Sequence, residues 1–122
     1  MTDQDIENEI RAINSHVAPR VTLADIEEEI TSEWTFTAAQ GVDQAYQGNV
    51  QPECVPGVLC RLTFCVLVLR NGFTLVGKSS CVSAENFNAD LGRKLARENA
   101  INHAWPLFGF ALAERLYQIV PE

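Results

Sequence analysis

The chain has 122 residues, with 16 acidic and nine basic side chains and a net charge of −7. That length supports one domain around one hydrophobic core, spanning residues 1–122. The longest apolar run, Phe64 to Leu69, is too short to cross a bilayer, and no apolar segment follows the acidic start. We therefore expect a cytoplasmic protein without a secretory signal.

The charge is unevenly distributed. Residues 1–57 carry eleven acids against two arginines, whereas residues 58–105 carry six lysines and arginines against three acids. A net negative charge disfavours binding to long nucleic acid, because the phosphate backbone is itself anionic. An anionic partner should therefore be a small ligand that binds to residues 58–105.

The first 20 residues predict an acidic helix added to the core at 21–122. Ile6, Ile10 and Ile13 fall on one helical face over residues 3–14, with Thr2 or Asp3 as the cap. Acids in the first turns favour the positive end of the helix dipole.

Residues 22–57 predict a short helix, a strand and a loop. Thr22 is a good cap for a helix that continues through Ile30, and large apolar and polar residues alternate from Ser32 to Thr37 as in a strand. The Glu27-Glu28-Glu29 run is interpreted as a solvated face rather than a metal site. Residues 38–57 are rich in Gln, Gly, Asn and Pro and predict a loop with at most one helical turn.

Asn71-Gly72 predicts a central β-hairpin with a type I′ turn in which Arg70 pairs with Phe73. In that register one apolar face of the hairpin meets the helices and consists of Leu62, Phe64, Val66, Val68, Leu75, Gly77, Ser79 and Cys81. We expect the Trp34/Phe36 strand and a second subunit to cover parts of the other face, which carries Arg61, Thr63, Cys65, Leu67, Leu69, Thr74, Val76, Lys78, Ser80 and Val82.

The remainder predicts two C-terminal helices. Ser83 or Asn88 caps the first, whose apolar stripe is Phe87, Leu91 and Leu95. The small residues Ala96, Ala100 and Ala104 allow close approach on a neighbouring face. Pro106 is expected to start a new helix over residues 107–118. The fold class is therefore α+β: a small antiparallel sheet packed against C-terminal helices, with N-terminal helices added.

The sequence gives no indication of catalysis, a cofactor or a metal. The four cysteines contain no Cys-x-x-Cys pair and are interpreted as buried or half-buried thiols. Cys65 and His103 have nothing that fixes them as a nucleophile and base. No phosphate-cradling glycine loop or nucleophile elbow is present.

The strongest binding pattern is a set of basic residues. Arg93 and Arg97, four residues apart, share a helical face that either is solvated or holds an anion. Arg61, Arg70 and Lys78 lie on the preceding hairpin. Phe73 could stack on a base or belong to the core, and Asn86 could bind a ligand or cap a helix.

The segment from Leu62 to Phe110 reads LTFCVLVLRNGFTLVGKSSCVSAENFNADLGRKLARENAINHAWPLFGF. This segment, together with the preceding VTLADIEEEITSEWTFTAAQGV, resembles the phage gene-product forty-nine/sixty-six family over residues 21–116. That family is similar to the Thoeris anti-defence (Tad) sponges.

The resemblance implies a non-enzymatic phage protein in the host cytoplasm. Tad sponges sequester glycocyclic ADP-ribose made by TIR enzymes, and related members also hold cyclic di- or trinucleotide signals such as those of CBASS defence. It also implies homodimers that build into hexamers, with ligand pockets at subunit interfaces.

The expected ligand-binding residues are Phe73, Asn86, Arg93 and Arg97, with Arg61, Arg70 and Lys78 at a second site. Arginine suits phosphate, an aromatic ring suits a base, and amides suit ribose hydroxyls. The alternative is a structural or protein-interaction module that binds a host or phage protein through the exposed hairpin face.

Overall fold

The computed structural model describes residues 2–13, 19–49 and 56–119. In chain order, the elements are α1 (Asp3–Ile13), α2 (Leu23–Glu29), β1 (Ile30–Thr37), α3 (Ala38–Ala45), a 3₁₀ turn (Gly57–Arg61), β2 (Leu62–Leu69), β3 (Thr74–Ser80) and α4 (Ala89–Ile119). The α+β class predicted from the sequence is confirmed.

The strands form an antiparallel sheet in the order β1-β2-β3. Val66, in the central strand, lies opposite Trp34 on one side and Val76 on the other. A register irregularity between Ile30 and Ser32 leaves Thr31 as an extra residue at the start of β1. The prediction that this strand covers a face of the hairpin is wrong, because β1 extends the sheet edge to edge.

The hairpin turn lies at Asn71-Gly72 as predicted, but its type differs. The Gly72 amide donates to the Leu69 carbonyl (2.8 Å) and the Leu69 amide to the Phe73 carbonyl (2.8 Å), which closes a three-residue loop. Gly72 has φ 90°, whereas Asn71 has no positive φ, so a type I′ turn does not form. The Asn71 side chain instead accepts a hydrogen bond from the Phe73 amide (3.0 Å).

That change shifts the pairing by one residue, because Leu69 rather than Arg70 faces Phe73. A shift of one residue moves the side chains of one strand to the opposite face. The face toward the helices, the inner face, therefore carries Thr63, Cys65, Leu67, Leu69, Leu75 and Gly77, all buried. The predicted β2 face was wrong, while Leu75 and Gly77 of β3 were assigned correctly. The outer face carries Trp34, Phe36, Phe64, Val66, Val68 and Val76.

Helix α4 covers the inner face through its small residues. Gly92, Ala96, Ala100 and Ala104 are buried with Ile101 against the sheet, so the predicted close approach is confirmed. Leu91 (52% exposed) and Leu95 (46%) point away. The predicted leucine stripe is wrong because alanine and glycine let the backbones approach more closely than leucine would.

Pro106 does not start a second helix, since α4 continues through it to Ile119. Proline removes the amide that the Asn102 carbonyl would accept, but Asn102 and Pro106 are both exposed, and water can reach that carbonyl. Residues on both sides of the proline, such as Ile101 and Phe108, pack in or against the core and hold the helix together.

Side-chain caps start the N-terminal helices and α4. The Thr2 hydroxyl accepts from the Asp5 amide (3.1 Å), and Thr22 forms a reciprocal capping box with Asp25. Asn88 accepts from the Leu91 amide (3.0 Å) at the start of α4. Thr2, Thr22 and Asn88 are thus confirmed as caps, although the second helix ends at Glu29 and Ile30 begins β1.

The predicted loop at 38–57 is wrong over its first eight residues, which form α3. Thr37 and Gln40 make a reciprocal capping box, a Thr-x-x-Gln signal that was visible in the sequence. The loop prediction for residues 50–55, including Cys54, lies outside the described residues.

None of the helices in the described ranges combines the length and apolar content needed to cross a bilayer.

Candidate functional site

A cavity of about 640 Å³ lies at the hairpin-turn end of the molecule. Its walls come from α2, the hairpin turn and the C-terminal half of α4. The lining residues are Arg20, Val21, Asp25, Glu28, Glu29, Leu69, Arg70, Asn71, Phe73, Leu107, Phe108, Phe110, Ala111, Leu112 and Arg115. Its volume lies within the range of small-molecule pockets, roughly 300–1,000 Å³.

Aromatic rings enter this cavity from two directions. Phe73 follows the hairpin turn and is 49% exposed, and Phe110, on α4, is 67% exposed. Phe108 is half-buried and also packs against the core. Exposed rings beside a cavity can stack on a planar group such as a nucleobase.

Three arginines supply positive charge to the same cavity. Arg20 pairs with Glu7 (2.5 Å) and Arg70 with Glu29 (3.1 Å). Arg115 has no hydrogen bond or ion pair with any residue the structure describes. Its guanidinium can therefore contact an anion without first breaking an ion pair.

Carboxylates limit the positive potential of the cavity. Asp25, Glu28 and Glu29 also line it. Asp25 is engaged in the α2 capping box and Glu29 in the pair with Arg70. The geometry therefore favours a ligand with one compact anionic group near Arg115 and an aromatic part near Phe73.

Arg97 is held by carboxylates on two other elements. Its guanidinium donates two hydrogen bonds to Glu27 on α2 (2.9 and 2.7 Å) and one to Glu33 on β1 (3.0 Å). The hydrogen bonds from Arg97 lower the pKa of Glu27. The same bonds, chiefly those to Glu27, raise the pKa of Arg97. An anion at Arg97 would have to compete with two carboxylates.

Arg93 and Asn86 lie near the start of α4, at the other end of the sheet. Arg93 forms an ion pair with Asp90 on its own helix, and Asn86 is exposed in the turn before the helix. Gly92, beside Arg93, packs close to Thr63 at the start of β2. Arg93 and Arg97 thus have different partners despite their spacing.

The second predicted group, Arg61, Arg70 and Lys78, is spread along the sheet. Arg61 donates to the carbonyls of Cys81 (3.0 Å) and Val82 (3.2 Å) and so fixes the end of the hairpin. Arg70 lies beyond the opposite end of β2, and nine residue steps along a strand span roughly 30 Å. Lys78 is exposed on β3, between these ends.

The structure therefore brings together Arg70 and Phe73 of the seven predicted residues. Arg61, Asn86 and Arg93 lie toward the opposite end, and Arg97 borders a second cavity of about 330 Å³ between α1, α2 and α4.

Four residues of the cavity were not predicted as site residues from the sequence: Arg20, Phe108, Phe110 and Arg115. The spacing of Phe108, Leu112 and Arg115 places them on one helical face, and this was the available signal. That this helical face lies beside the hairpin turn depends on α4 continuing through Pro106, which was not predicted from the sequence.

Within the described ranges 2–13, 19–49 and 56–119, no group of three His, Cys, Asp or Glu side chains could hold a metal ion. Cys65 is fully buried between the sheet and α4. Burial, and then the charge of Glu33, raise the pKa of its thiol, so the nucleophilic thiolate is disfavoured.

The chain matches a known protein family. The profile of the Phage protein (N4 Gp49/phage Sf6 gene 66) family matches residues 21–116. Neither the curated proteins nor the solved structures contain a match to the chain. The matched segment begins just before α2 and ends near the C-terminus of α4. It includes the whole sheet and every residue that lines the cavity except Arg20, while α1 precedes it. The chain belongs to the Phage protein (N4 Gp49/phage Sf6 gene 66) family.

Proposed function

We propose that this phage-family protein is an anti-defence sponge that binds and sequesters cyclic nucleotide-type immune signals without degrading them. Candidate signals are glycocyclic ADP-ribose and cyclic di- or trinucleotides. Sequestration in the host cytoplasm would deprive an effector of its messenger. The protein would act as a homo-oligomer and needs no cofactor.

The observation that carries the proposal is the cavity at the hairpin turn. It combines a volume of about 640 Å³ with exposed Phe73 and Phe110 and with Arg115, which no described side chain engages. A stacking surface beside a guanidinium is the minimum that a compact anionic nucleotide requires. Family membership supports a phage origin.

Isothermal titration of the full chain with glycocyclic ADP-ribose and, separately, a cyclic trinucleotide tests the proposal. We expect saturable heat with at least one ligand, and ligand recovered unchanged after the protein is denatured. No heat and no thermal shift with either ligand would refute sequestration. Recovery of a hydrolysed ligand would indicate an enzyme.

Two variants locate the site. Arg115→Ala at the cavity should weaken binding at least about tenfold, because one charge-assisted hydrogen bond to a phosphate contributes roughly 1.5–3 kcal/mol. Arg93→Ala, at the other end of the sheet, is the matched control if the cavity is the site. The reverse result would move the pocket to Asn86, Arg93 and Arg61.

A structural or protein-interaction module is the second candidate. It is favoured by the apolar outer face of the sheet, where Trp34 is 64% and Val76 52% exposed, because exposed apolar patches often mark interaction surfaces. Stoichiometric capture of one host or phage protein, lost in Val76→Lys, together with purified protein that releases no nucleotide on heating, would favour this function over the sponge.

A further inference from the structure

The two edges of the sheet differ in how their backbone groups are satisfied. On the β3 edge, the Lys78 amide donates to the Asn99 side chain of α4 (2.9 Å). Lys78 also places a charge on that edge. Coverage by a helix and an edge lysine both discourage pairing with another strand. The β3 edge is thus protected.

The direction of the backbone groups in β2 follows from the hairpin. The Leu69 amide donates to Phe73, so the backbone groups of Leu69 point toward β3. Those of Val68 must point the opposite way, toward β1, because directions alternate along a strand. The Val68 carbonyl indeed accepts a hydrogen bond from the Thr31 hydroxyl on β1 (3.1 Å).

The same alternation fixes the free edge of β1. Ser32 and Trp34 lie opposite Val68 and Val66, so their backbone groups face β2. Glu33 and Thr35 therefore direct their amides and carbonyls away from the sheet. No backbone or side-chain group in the described part of the chain bonds to them there.

Strand β1 also lacks the features that protect the β3 edge. It is eight residues long and contains no Lys, Arg or Pro, and its irregularity is confined to its start, before Ser32. The amide of Thr37 is taken by the Gln40 side chain (2.8 Å), which marks the end of the available edge. An unprotected edge of this kind is a template for another strand.

We propose that β1 is an assembly edge that pairs antiparallel with β1 of a second copy of this chain, centred on Trp34. Glu33 then exchanges backbone hydrogen bonds with Thr35 of the second copy, and the reverse, across a two-fold axis. Trp34 faces Trp34 of the second copy in a non-hydrogen-bonded pair, with Cα atoms about 4.5 Å apart. The sheet becomes six-stranded.

Electrostatics and burial favour this register over the one that pairs Glu33 with itself. A shift that placed Glu33 opposite itself would pair like charges, whereas the proposed register places it opposite a threonine. Arg97 also neutralises Glu33 (3.0 Å), which lowers the cost of bringing two copies together. Pairing would also cover the Trp34 side chain, which is 64% exposed in the single chain. Phe36, on the same face, is 39% exposed.

A second copy fits this edge because the pattern is self-complementary. The two-fold axis matches each outward amide with an outward carbonyl, as an isologous interface requires. The inference specifies the homo-oligomer named in the proposed function and to that extent rests on it. It requires no nucleotide, so a failed titration with nucleotides would leave it standing.

Proline substitution tests the edge in the full chain. Thr35→Pro removes an outward amide while leaving the hydrogen bonds to β2 intact. Thr74→Pro is the matched control on the opposite edge, because the Thr74 amide also points outward. Sedimentation equilibrium should give a dimer or larger for the parent and Thr74→Pro, and at most half that mass for folded Thr35→Pro. A monomeric parent, or equal masses for all three, would overturn the proposal.

Disulfide trapping tests the register and does not depend on how well the proline variants fold. Trp34→Cys should form a dimer under mild oxidation, because the facing positions satisfy disulfide geometry. Phe36→Cys is the control, since two copies of this position would lie roughly 13 Å apart along the strands. Crosslinking of Phe36→Cys as efficient as that of Trp34→Cys, or none above the parent background in either, would contradict the register. If the chain is monomeric and retains a foreign extended peptide at β1, the occupant of this edge is that peptide and not a second copy, and the proposal is wrong.

Discussion

At the scale of single residues, Gly77 sets how closely the sheet and helix approach. A Cβ atom at this position would lie 2.2 Å from both the Ala100 amide nitrogen and the Ala96 carbonyl oxygen. These are backbone atoms of α4, so they cannot move aside as a flexible side chain would. The α4–sheet packing therefore requires glycine at this position.

Gly77→Ala should destabilise the fold by roughly 3 kcal/mol or prevent folding, because overpacking forces backbone shifts. Gly109→Ala is the matched control. Gly109 lies in α4 with nothing within 4 Å of a built Cβ, and alanine there should stabilise by about 0.5–1 kcal/mol. Urea unfolding measures both. Equal effects of the two substitutions would contradict the close-packing account.

At the scale of elements, Arg97 connects three of them. It lies on α4 and bonds to Glu27 on α2 and Glu33 on β1. Its side chain is 32% exposed, so solvent screens the network in part. The network joins α2 to α4 and to the edge strand, in addition to the apolar contact of Ile26, which is fully buried in the core.

Arg97→Gln should cost roughly 1 kcal/mol at neutral pH, because two carboxylates lose a partly exposed partner. The folded-state pKa of Glu27 lies below its ordinary value of 4.5. Its contribution is therefore present above that pH and is lost as the pH falls through the lowered folded-state pKa. The difference in unfolding free energy between parent and variant should shrink in acid.

Urea unfolding at pH 7 and at pH 3 measures this difference. Arg93→Gln is the control, since Arg93 pairs with Asp90 one helical turn away on an exposed surface and should change stability by less than about 0.5 kcal/mol. A cost for Arg97→Gln that does not depend on pH would mean that the side chain acts through packing rather than charge.

At the scale of the whole molecule, large apolar side chains are exposed at both ends and on the outer face. They include Trp34, Val76, Leu91, Phe110, Tyr117 and Ile119. Trp34 and Val76 flank Val66 on the outer face of the sheet, and a group of exposed apolar side chains of this kind often marks an interaction surface. Helix α4 exposes apolar side chains at its ends because its 31 residues, at 1.5 Å each, span about 46 Å, which exceeds the length of the strands.

The melting temperature should therefore rise with protein concentration, because association stabilises the folded state by mass action. Differential scanning calorimetry over a concentration range of about 100-fold tests this without assuming which surface associates. A melting temperature that stays constant over that range would indicate a monomer.

Helix α1 lies before the family match and attaches to α4 at one side. The Trp105 indole donates to Asp3 (3.3 Å), and Glu7 pairs with Arg20. These contacts of α1 lie outside the sheet, whose three strands all fall within residues 21–116.

The sequence by itself determined the α+β class, the caps at Thr2, Thr22 and Asn88, and the position of the turn at Asn71-Gly72. Each depends on local chemistry: side-chain caps satisfy nearby amides, and glycine tolerates positive φ. The Thr37-Gln40 capping box was equally local and could have predicted α3.

Tertiary structure decided which face of β2 is buried, whether α4 passes through Pro106, and which arginines lie near a cavity. Both faces of β2 are apolar, so alternation could not choose between them, and a one-residue difference in the turn reversed the choice. Pro106 stays inside a helix because packing on both sides of it outweighs one lost hydrogen bond. Arg93 and Arg97 share a helical spacing, but Asp90, Glu27 and Glu33 give them different partners, and those contacts exist only once α2, β1 and α4 have come together.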